Sequence, residues 1–262
     1  MRIYWKFYMV PLLYGVVFSW YGTFHVKGKR KLWELVSAMG GMMGDINGES
    51  IAGLIELYIP YALFLLIFST YIYRHFCNSS AYVFARCGNR SVWFGKEAVK
   101  LLAFSFLNVM ILFIGWALAG IFTGRLVFEI AGMQLLLQHI LTYTLWSFQM
   151  VLLAHLIAIL WGSIVGCGAA LSLQIICAVA LLGIDCEHMT GMNLQRFIWN
   201  PNAYLVTNWH TVYVEGEQIL GAFYDLSFVR GYLMMGGLCI AVLLFGFVLI
   251  NQVDIIHRNK EI

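Results

Sequence analysis

Charged residues are scarce in this 262-residue chain, at 11%, where soluble domains carry roughly 25%. Hydrophobic residues make up 61%, and no Asp, Glu, Lys or Arg occurs between Glu129 and Asp185. The composition therefore predicts an integral membrane protein, organised as one domain over residues 1–262. Because the net charge is only +3, nothing favours a nucleic-acid partner.

The chain also lacks the common catalytic and nucleotide-binding motifs. It contains no HExxH, no Gly-x-Ser-x-Gly and no Cys-x-x-Cys, and its six cysteines are typical of reduced packing residues. Gly88 to Lys96 differs from a phosphate loop, because six residues separate its glycines instead of four and Glu97 follows the lysine instead of Ser or Thr. We therefore predict a chain that is not an enzyme and has no cofactor and no metal site.

Charge-poor apolar runs predict six membrane-spanning helices, since a bilayer core requires about 20 mostly apolar residues per helix. The run without charges is too long for one helix, and its glycine-rich stretch at 162–168 is interpreted as a tight turn that divides it. The predicted spans are Phe7–Phe24, Leu57–Tyr73, Leu101–Gly124, about Leu141–Trp161, about Gly168–Ile184 and Gly231–Val253.

An even number of spans places both termini on the same side of the membrane. If that side is the cytoplasm, the inner segments hold nine Lys and Arg residues and the outer segments seven. This bias favours cytoplasmic termini, although the basic cluster Lys27–Lys31 on the outer side opposes it.

The segment between the second and third predicted spans combines positive charge with helix punctuation. Five of the sixteen Lys and Arg residues lie between 74 and 100. A short helix is predicted over about 79–87, ended by Gly88 in a positive-φ conformation. A turn at 89–91 follows, and from Val92 onward the helix continues into the third span. We interpret this segment as a docking element on the cytoplasmic face; an ordinary basic loop is the alternative.

The segment before the last span is rich in aromatic residues and contains an Asn-Pro turn signal at 200–202. We predict two short helices there, at the outer surface. The ring-bearing residues are expected to lie in the interfacial belt; they are Trp199, Tyr204, Trp209, Tyr213 and Tyr224.

A few polar residues fall inside the apolar runs. His139 and His155 are interpreted as neutral histidines hydrogen-bonded within the bundle, in preference to metal or proton sites. Asn108 and Gln149 are predicted to form interhelical hydrogen bonds. Together with His155, they are equally candidates for lining a substrate path.

The six spans, the basic helix-turn segment and the outer Asn-Pro loop together resemble the permease subunits of bacterial ABC-2-type exporters. The resemblance is greatest to the small permeases of peptide-export and bacteriocin-immunity systems. It rests on Ala85-Arg-Cys-Gly-Asn-Arg-Ser-Val-Trp-Phe-Gly-Lys96 and on Trp199-Asn-Pro-Asn-Ala-Tyr204. In that family the first element is the coupling helix that sits in a cleft of the ATPase.

The resemblance implies an all-α, multi-pass permease of the bacterial cell membrane, with ATP hydrolysis in a partner chain. Its implied partners are an ABC ATPase subunit, a second permease copy or a paralogous permease, and membrane lipid. The implied substrate is a peptide, a lipid-like or a drug-like molecule. The rival reading is a membrane anchor or assembly protein without a transport path.

The resemblance also assigns roles to individual residues. The implied ATPase-coupling residues are Arg86, Gly88, Arg90, Trp93 and Lys96. The cations among them would meet acidic residues of the ATPase, and Trp93 would anchor the segment at the membrane interface. The implied outer-loop element consists of Trp199, Asn200, Pro201 and Tyr204.

Overall fold

The computed structural model describes residues 2–24, 28–39, 48–77, 89–182, 184, 190–214, 217–220 and 226–253, and these are mostly helical. The helices are α1 (Arg2–Phe24), α2 (Leu32–Met39), α3 (Gly48–Phe68), α4 (71–77), α5 (Arg90–Phe122), α6 (Ile130–Trp161), α7 (Ser163–Leu182), α8 (Gly191–Trp199) and α9 (Phe228–Gln252). Two 3-10 turns, Pro201–Leu205 and Thr207–Trp209, follow α8. Short strands also form: β1 (Arg30–Lys31) pairs in parallel with β2 (Leu126–Val127), and β3 (Val212–Val214) pairs antiparallel with β4 (Glu217–Leu220).

Five helical segments in the described part of the chain are long and apolar enough to cross a membrane. They are Leu57–Cys77, α5, α6, α7 and α9. The described apolar stretch of α1, Tyr8–Ser19, is shorter. The membrane character of the protein is therefore supported, and the count of six spans stays a prediction.

The fourth and fifth predicted spans have different boundaries in the structure. Helix α6 begins at Ile130, eleven residues before the predicted start, and runs to Trp161. The break is a single residue, Gly162, whose φ of 93° only glycine adopts without strain, and α7 begins immediately after it. The expected turn over 162–168 is therefore wrong, because one left-handed residue suffices to reverse the chain.

Helices α5 and α6 are longer than the bilayer requires. With 33 and 32 residues, each extends for about 50 Å, whereas the hydrocarbon core is about 30 Å thick. The excess of α5 includes its first three turns, which carry Lys96, Glu97 and Lys100. These turns belong to an end of the bundle where charge is tolerated.

Two hydrophobic cores lie at successive levels of the bundle. The loop-side core joins α2, the second half of α5, the first half of α6 and the 3-10 turns, and includes Val36, Trp146 and Trp209. The α4-side core joins α4, the first turns of α5, the second half of α6 and the last turns of α9, and includes Ile72, Phe94 and Ile250. We call the corresponding ends of the molecule the loop end and the α4 end.

Glycines set the closest helix contacts. A Cβ atom on Gly15 of α1 would overlap the carbonyl oxygen of Leu112, and one on Gly115 of α5 would overlap that of Leu12. Gly166 of α7 faces the backbone of α6 at Ala154 and Ala158 in the same way. Small residues at these crossings let backbones touch, which is how membrane helices gain packing energy.

The aromatic residues of the loop end do not all lie at the membrane interface as predicted. Trp199 is 75% exposed, but Trp209 is 0% and Tyr204 only 2% exposed. Both buried rings belong to the loop-side core. The interfacial-belt interpretation is therefore wrong for these two residues, because the 3-10 turns place them against α6 and other parts of that core.

The basic cluster beside β1 is partly neutralised by acids. Arg30 donates to Glu34 at 3.0 Å, and Lys31 lies 3.8 Å from Glu129 next to β2. Both pairs lie beside the β1–β2 contact, so two cations of the basic cluster stabilise local structure. A structural role of this kind is compatible with an outer location of the cluster, although the positive-inside rule favours the cytoplasmic side.

Replacing Gly166 by Leu is expected to separate α6 from α7 and to destabilise the protein by about 1–3 kcal/mol, the usual cost of overpacking. Gly168→Leu is the matched control, because a Cβ at Gly168 meets no atom within 4 Å and the gain in helix propensity is the same. Thermal unfolding of the detergent-solubilised variants measures both. Equal melting temperatures would contradict the backbone contact described for Gly166.

Candidate functional sites at the two ends of the bundle

At the α4 end, the start of α5 is bound to the end of α9. Asn89 caps α5, its side-chain oxygen accepting a hydrogen bond from Val92 N at 3.2 Å, so the helix begins two residues earlier than predicted. Arg90 donates through Nη1 to the Val253 carbonyl at 3.0 Å, just beyond α9. A cation at a helix C-terminus also interacts favourably with the helix dipole.

A second pair of polar side chains strengthens this junction. Asn251, one residue before the end of α9, donates through Nδ2 to Ser91 Oγ at 2.8 Å. Below it, the Phe94 ring packs edge-on against Phe247, 5.1 Å between centroids. The first turns of α5 are therefore held against the last turns of α9 by both polar and aromatic contacts.

A buried carboxylate of α5 lies beside α4. Glu97 is 4% exposed; Lys100 Nζ lies 2.6 Å from its Oε1, and His75 Nδ1 of α4 lies 3.6 Å from its Oε2. Sequence reasoning missed this residue. The available signal was its isolation, since Glu97 is the only acidic residue between Glu56 and Glu129.

The structure describes three of the five predicted ATPase-coupling residues. Arg90 is engaged with α9, and Lys96 is exposed. Trp93 is half-buried against the α4-side core, with its ring 6.1 Å from Phe76, so it contacts protein instead of lying only at the membrane interface. Arg86 and Gly88, like the predicted helix at 79–87, lie outside the described residues.

At the loop end, the Asn-Pro element is bound to the α7 backbone. Asn200 donates to the Cys177 carbonyl at 2.7 Å while its oxygen accepts from Asn202 N at 2.9 Å, and Asn202 donates to the Gln174 carbonyl at 3.3 Å. Pro201 begins the 3-10 turn, where its missing N–H costs nothing. The predicted outer-loop residues thus have a structural role that holds the turns on α7.

The same turns are bound to α6 by a cluster of buried rings. Tyr143 donates to the Leu205 carbonyl at 2.9 Å, and His139 Nδ1 lies 2.6 Å from Thr207 Oγ1. His210 Nε2 lies 3.0 Å from the Tyr204 carbonyl, and its ring stacks on Phe228 at 3.9 Å. Burial lowers the pKa of His210 to about 4, although the Tyr204 and Leu226 backbone partly opposes that shift.

The three residues predicted to line a substrate path are all buried, but two of them face different neighbours. Gln149 faces α9, where Met235 Sδ lies 3.5 Å from its Nε2. His155, roughly 120° away around the axis of α6, lies beside the Ser69 backbone, without hydrogen-bond geometry at either ring nitrogen. Asn108 is on α5, and its Nδ2 has no hydrogen-bond partner among the described residues. Gln149 and His155 therefore do not line one common path.

Comparison with known proteins identifies no relative. No family model, no curated protein and no solved structure matches this chain. The two ends of the bundle are therefore interpreted from their own geometry.

Acid is expected to destabilise the loop end through His210. An unfolded histidine has a pKa of about 6.5, whereas the folded chain holds this one near 4. The folded state therefore binds fewer protons between these values. The contribution of His210 to the free energy of unfolding is therefore complete above the pKa of the unfolded state. It decreases as the pH falls toward the pKa of the folded state, by at most about 3 kcal/mol.

Thermal unfolding at several pH values between 7.5 and 4.5 measures this loss. His210→Asn should reduce the slope of the pH profile, because one of the groups that take up protons on unfolding is then absent. A wild-type slope in His210→Asn would show that other groups account for the acid sensitivity.

Proposed function

We propose that this chain is the membrane-spanning permease subunit of an ABC-2-type ATP-driven exporter and that it works with a separate ATPase. The observation that supports the proposal is the junction at the α4 end. There α5 is joined to α9 through Arg90, and the buried Glu97 of α5 lies beside His75 of α4. In the sequence, residues 78–88 connect α4 to α5.

The contacts between α5 and α9 supply the rigid link between helices that coupling requires. A permease without a nucleotide site moves its substrate only if ATP-driven motion of a partner pushes on a segment rigidly joined to the spans. Hydrogen bonds to charged groups contribute about 1.5–3 kcal/mol each, so the Arg90–Val253 bond resists separation of α5 from α9. A push on residues 78–88 then moves several spans together.

The proposed division of labour separates docking cations from fastening ones. Arg86 and the exposed Lys96 are assigned to acidic residues of the ATPase, whereas Arg90 is assigned mainly to the junction. Trp93 supports the first turn of α5 from within the bundle. Exposed apolar side chains on α5, α7 and α9 are available to membrane lipid and to a second permease copy or a paralogous permease.

The docking and fastening roles predict different phenotypes. Arg86→Glu with Lys96→Glu should leave membrane abundance near wild type, because exposed charge changes alter stability by no more than about 0.5 kcal/mol. If an ATPase co-purifies with the wild-type chain, the variant should lose it, since like charges across an interface cost several kcal/mol. Arg90→Gln should keep the ATPase but lower transport per ATP hydrolysed.

Pull-down from native membranes, normalised to abundance, together with transport and ATPase assays, measures these outcomes. Arg196→Glu, at the loop end, is the control that changes charge without touching the α4 end. Undiminished ATPase recovery with the double variant would overturn the docking role. Wild-type membranes that yield no ATPase at all would favour the membrane-anchor reading.

The proposed orientation places the α4 end in the cytoplasm. In a chain freed of its native cysteines, Met192→Cys on exposed α8 should react with a membrane-impermeant maleimide on intact cells. Lys96→Cys should react only after the cells are permeabilised. The reverse pattern would contradict the orientation and, with it, ATPase docking at this end.

A further inference from the structure

A cavity of about 650 Å³ lies between α6, α7 and α9, in the described part of the chain. Its size falls within the range of about 300–1,000 Å³ that is typical of small-molecule sites. Leucines, methionines and a valine form most of its wall, and Trp199 and Pro201 line it toward the loop end. None of the roles assigned above uses this space.

The cavity follows α6 and α9 for several turns. Its lining on α6 extends from Trp146 to Leu153, and on α9 from Leu233 to Val242. At 1.5 Å per residue these stretches span about 10 to 14 Å. Part of an alkyl chain lying parallel to the helices fits within this length.

One polar side chain of the cavity wall carries a hydrogen-bonding group that the ligand could use. It is Gln149, because Trp146 Nε1 is enclosed by protein and does not face the cavity. The Gln149 amide, 2% exposed, meets only sulfur, with Met235 Sδ at 3.5 Å and Cys239 Sγ at 3.7 Å. Sulfur is a weak partner, and a buried polar group left unsatisfied costs about 1–3 kcal/mol.

The other end of the cavity offers no comparable group. One and two turns along, the wall consists of Leu153 on α6 and Leu238 and Val242 on α9. The cavity therefore has a hydrogen-bonding group at Gln149 and an apolar end toward the α4 side. This polarity matches that of an amphiphile.

The rim of the cavity is open to the surface that lies in the bilayer. Leu173, Leu233 and Leu238 are exposed although they line it. Because all three are apolar and belong to spanning helices, the medium outside this rim is hydrocarbon. A ligand therefore enters sideways from the membrane and not from water.

We propose that this cavity binds a single-chain amphiphile from the bilayer, with its alkyl chain along α6 and α9. A carboxyl, ester or amide oxygen of the ligand accepts a Gln149 Nε2–H. A free fatty acid and the acyl group of a phospholipid both carry this chemistry. The proposal does not depend on an ATPase partner, and its test uses the purified chain alone.

The probe is palmitic acid carrying a diazirine in its chain, added to the purified protein in lipid nanodiscs and activated by light. Mass spectrometry of the peptides should place most cross-links on 146–153 and 233–242, and unlabelled palmitic acid should compete them away. A phospholipid with the same diazirine in one acyl chain shows which source of the chemistry is used. Cross-links spread evenly over the lipid-facing helices, without competition, would overturn the proposal.

Neighbouring glycines supply a matched pair of filling variants. Gly237 lines the cavity and Gly236 does not, and a Cβ on either meets no atom within 4 Å. Gly237→Trp should lower specific cross-linking about tenfold, and Gly236→Trp should leave it unchanged. Gly237→Leu is the smaller substitute if the tryptophan variant fails to fold. Equal cross-linking in folded filling and control variants would refute binding in the cavity.

Gln149→Leu removes the hydrogen bond to the ligand oxygen without filling the cavity. It should weaken competition by unlabelled palmitic acid about tenfold while leaving cross-linking by a diazirine-bearing alkane of equal length unchanged. Equal loss for both probes, or for neither, would refute recognition of the oxygen. Failure of these experiments would leave the proposed ATPase docking at the α4 end untouched, because that site is tested by pull-down.

Discussion

The structure depends on close approach of the neighbouring helices to α6. Helix α6 contacts α2, α3, α5, α7, α9 and the 3-10 turns. In lipid, apolar side chains gain little from leaving the hydrocarbon, so helices associate through close packing and polar contacts. Gly132 admits α2 and Gly166 admits α7 at distances that a larger side chain would forbid. The helices that contact α6 therefore take their positions from it, whereas α1 packs on α5.

The two ends of the bundle are joined by different chemistry, and this difference has consequences. At the loop end, neutral side chains such as Asn200 and Tyr143 donate to backbone carbonyls. Their bonds change little with charge in the surroundings. At the α4 end, Arg90 and Glu97 hold the junction with charged groups. A charged partner alters such contacts directly, which is the property that the proposed docking at the α4 end uses.

The sequence predicts the helical class and the apolar spans well, because hydrocarbon thickness and charge exclusion act on every residue of a span. It predicts tertiary partners poorly. Tyr204 and Trp209 have rings with polar tips, which suit an interfacial belt and a hydrogen-bonded core equally, and only the 3-10 turns place them inside. Glu97 was missed because its burial depends on His75 and Lys100 reaching it together.

Several buried polar atoms of α5 and α6 have no hydrogen-bond partner among the described residues; they belong to Ser105, Asn108, Thr144, Trp146, Ser147 and His155. Each such group costs about 1–3 kcal/mol, so this arrangement of the central helices is not their most fully bonded one. Under the proposed function that is an advantage. An exporter populates two arrangements whose free energies differ by a few kcal/mol. Unsatisfied groups at the α5–α6 core reduce the free-energy difference between the two arrangements. A movement of the helices that gave these groups hydrogen-bond partners would offset the packing energy lost in the movement.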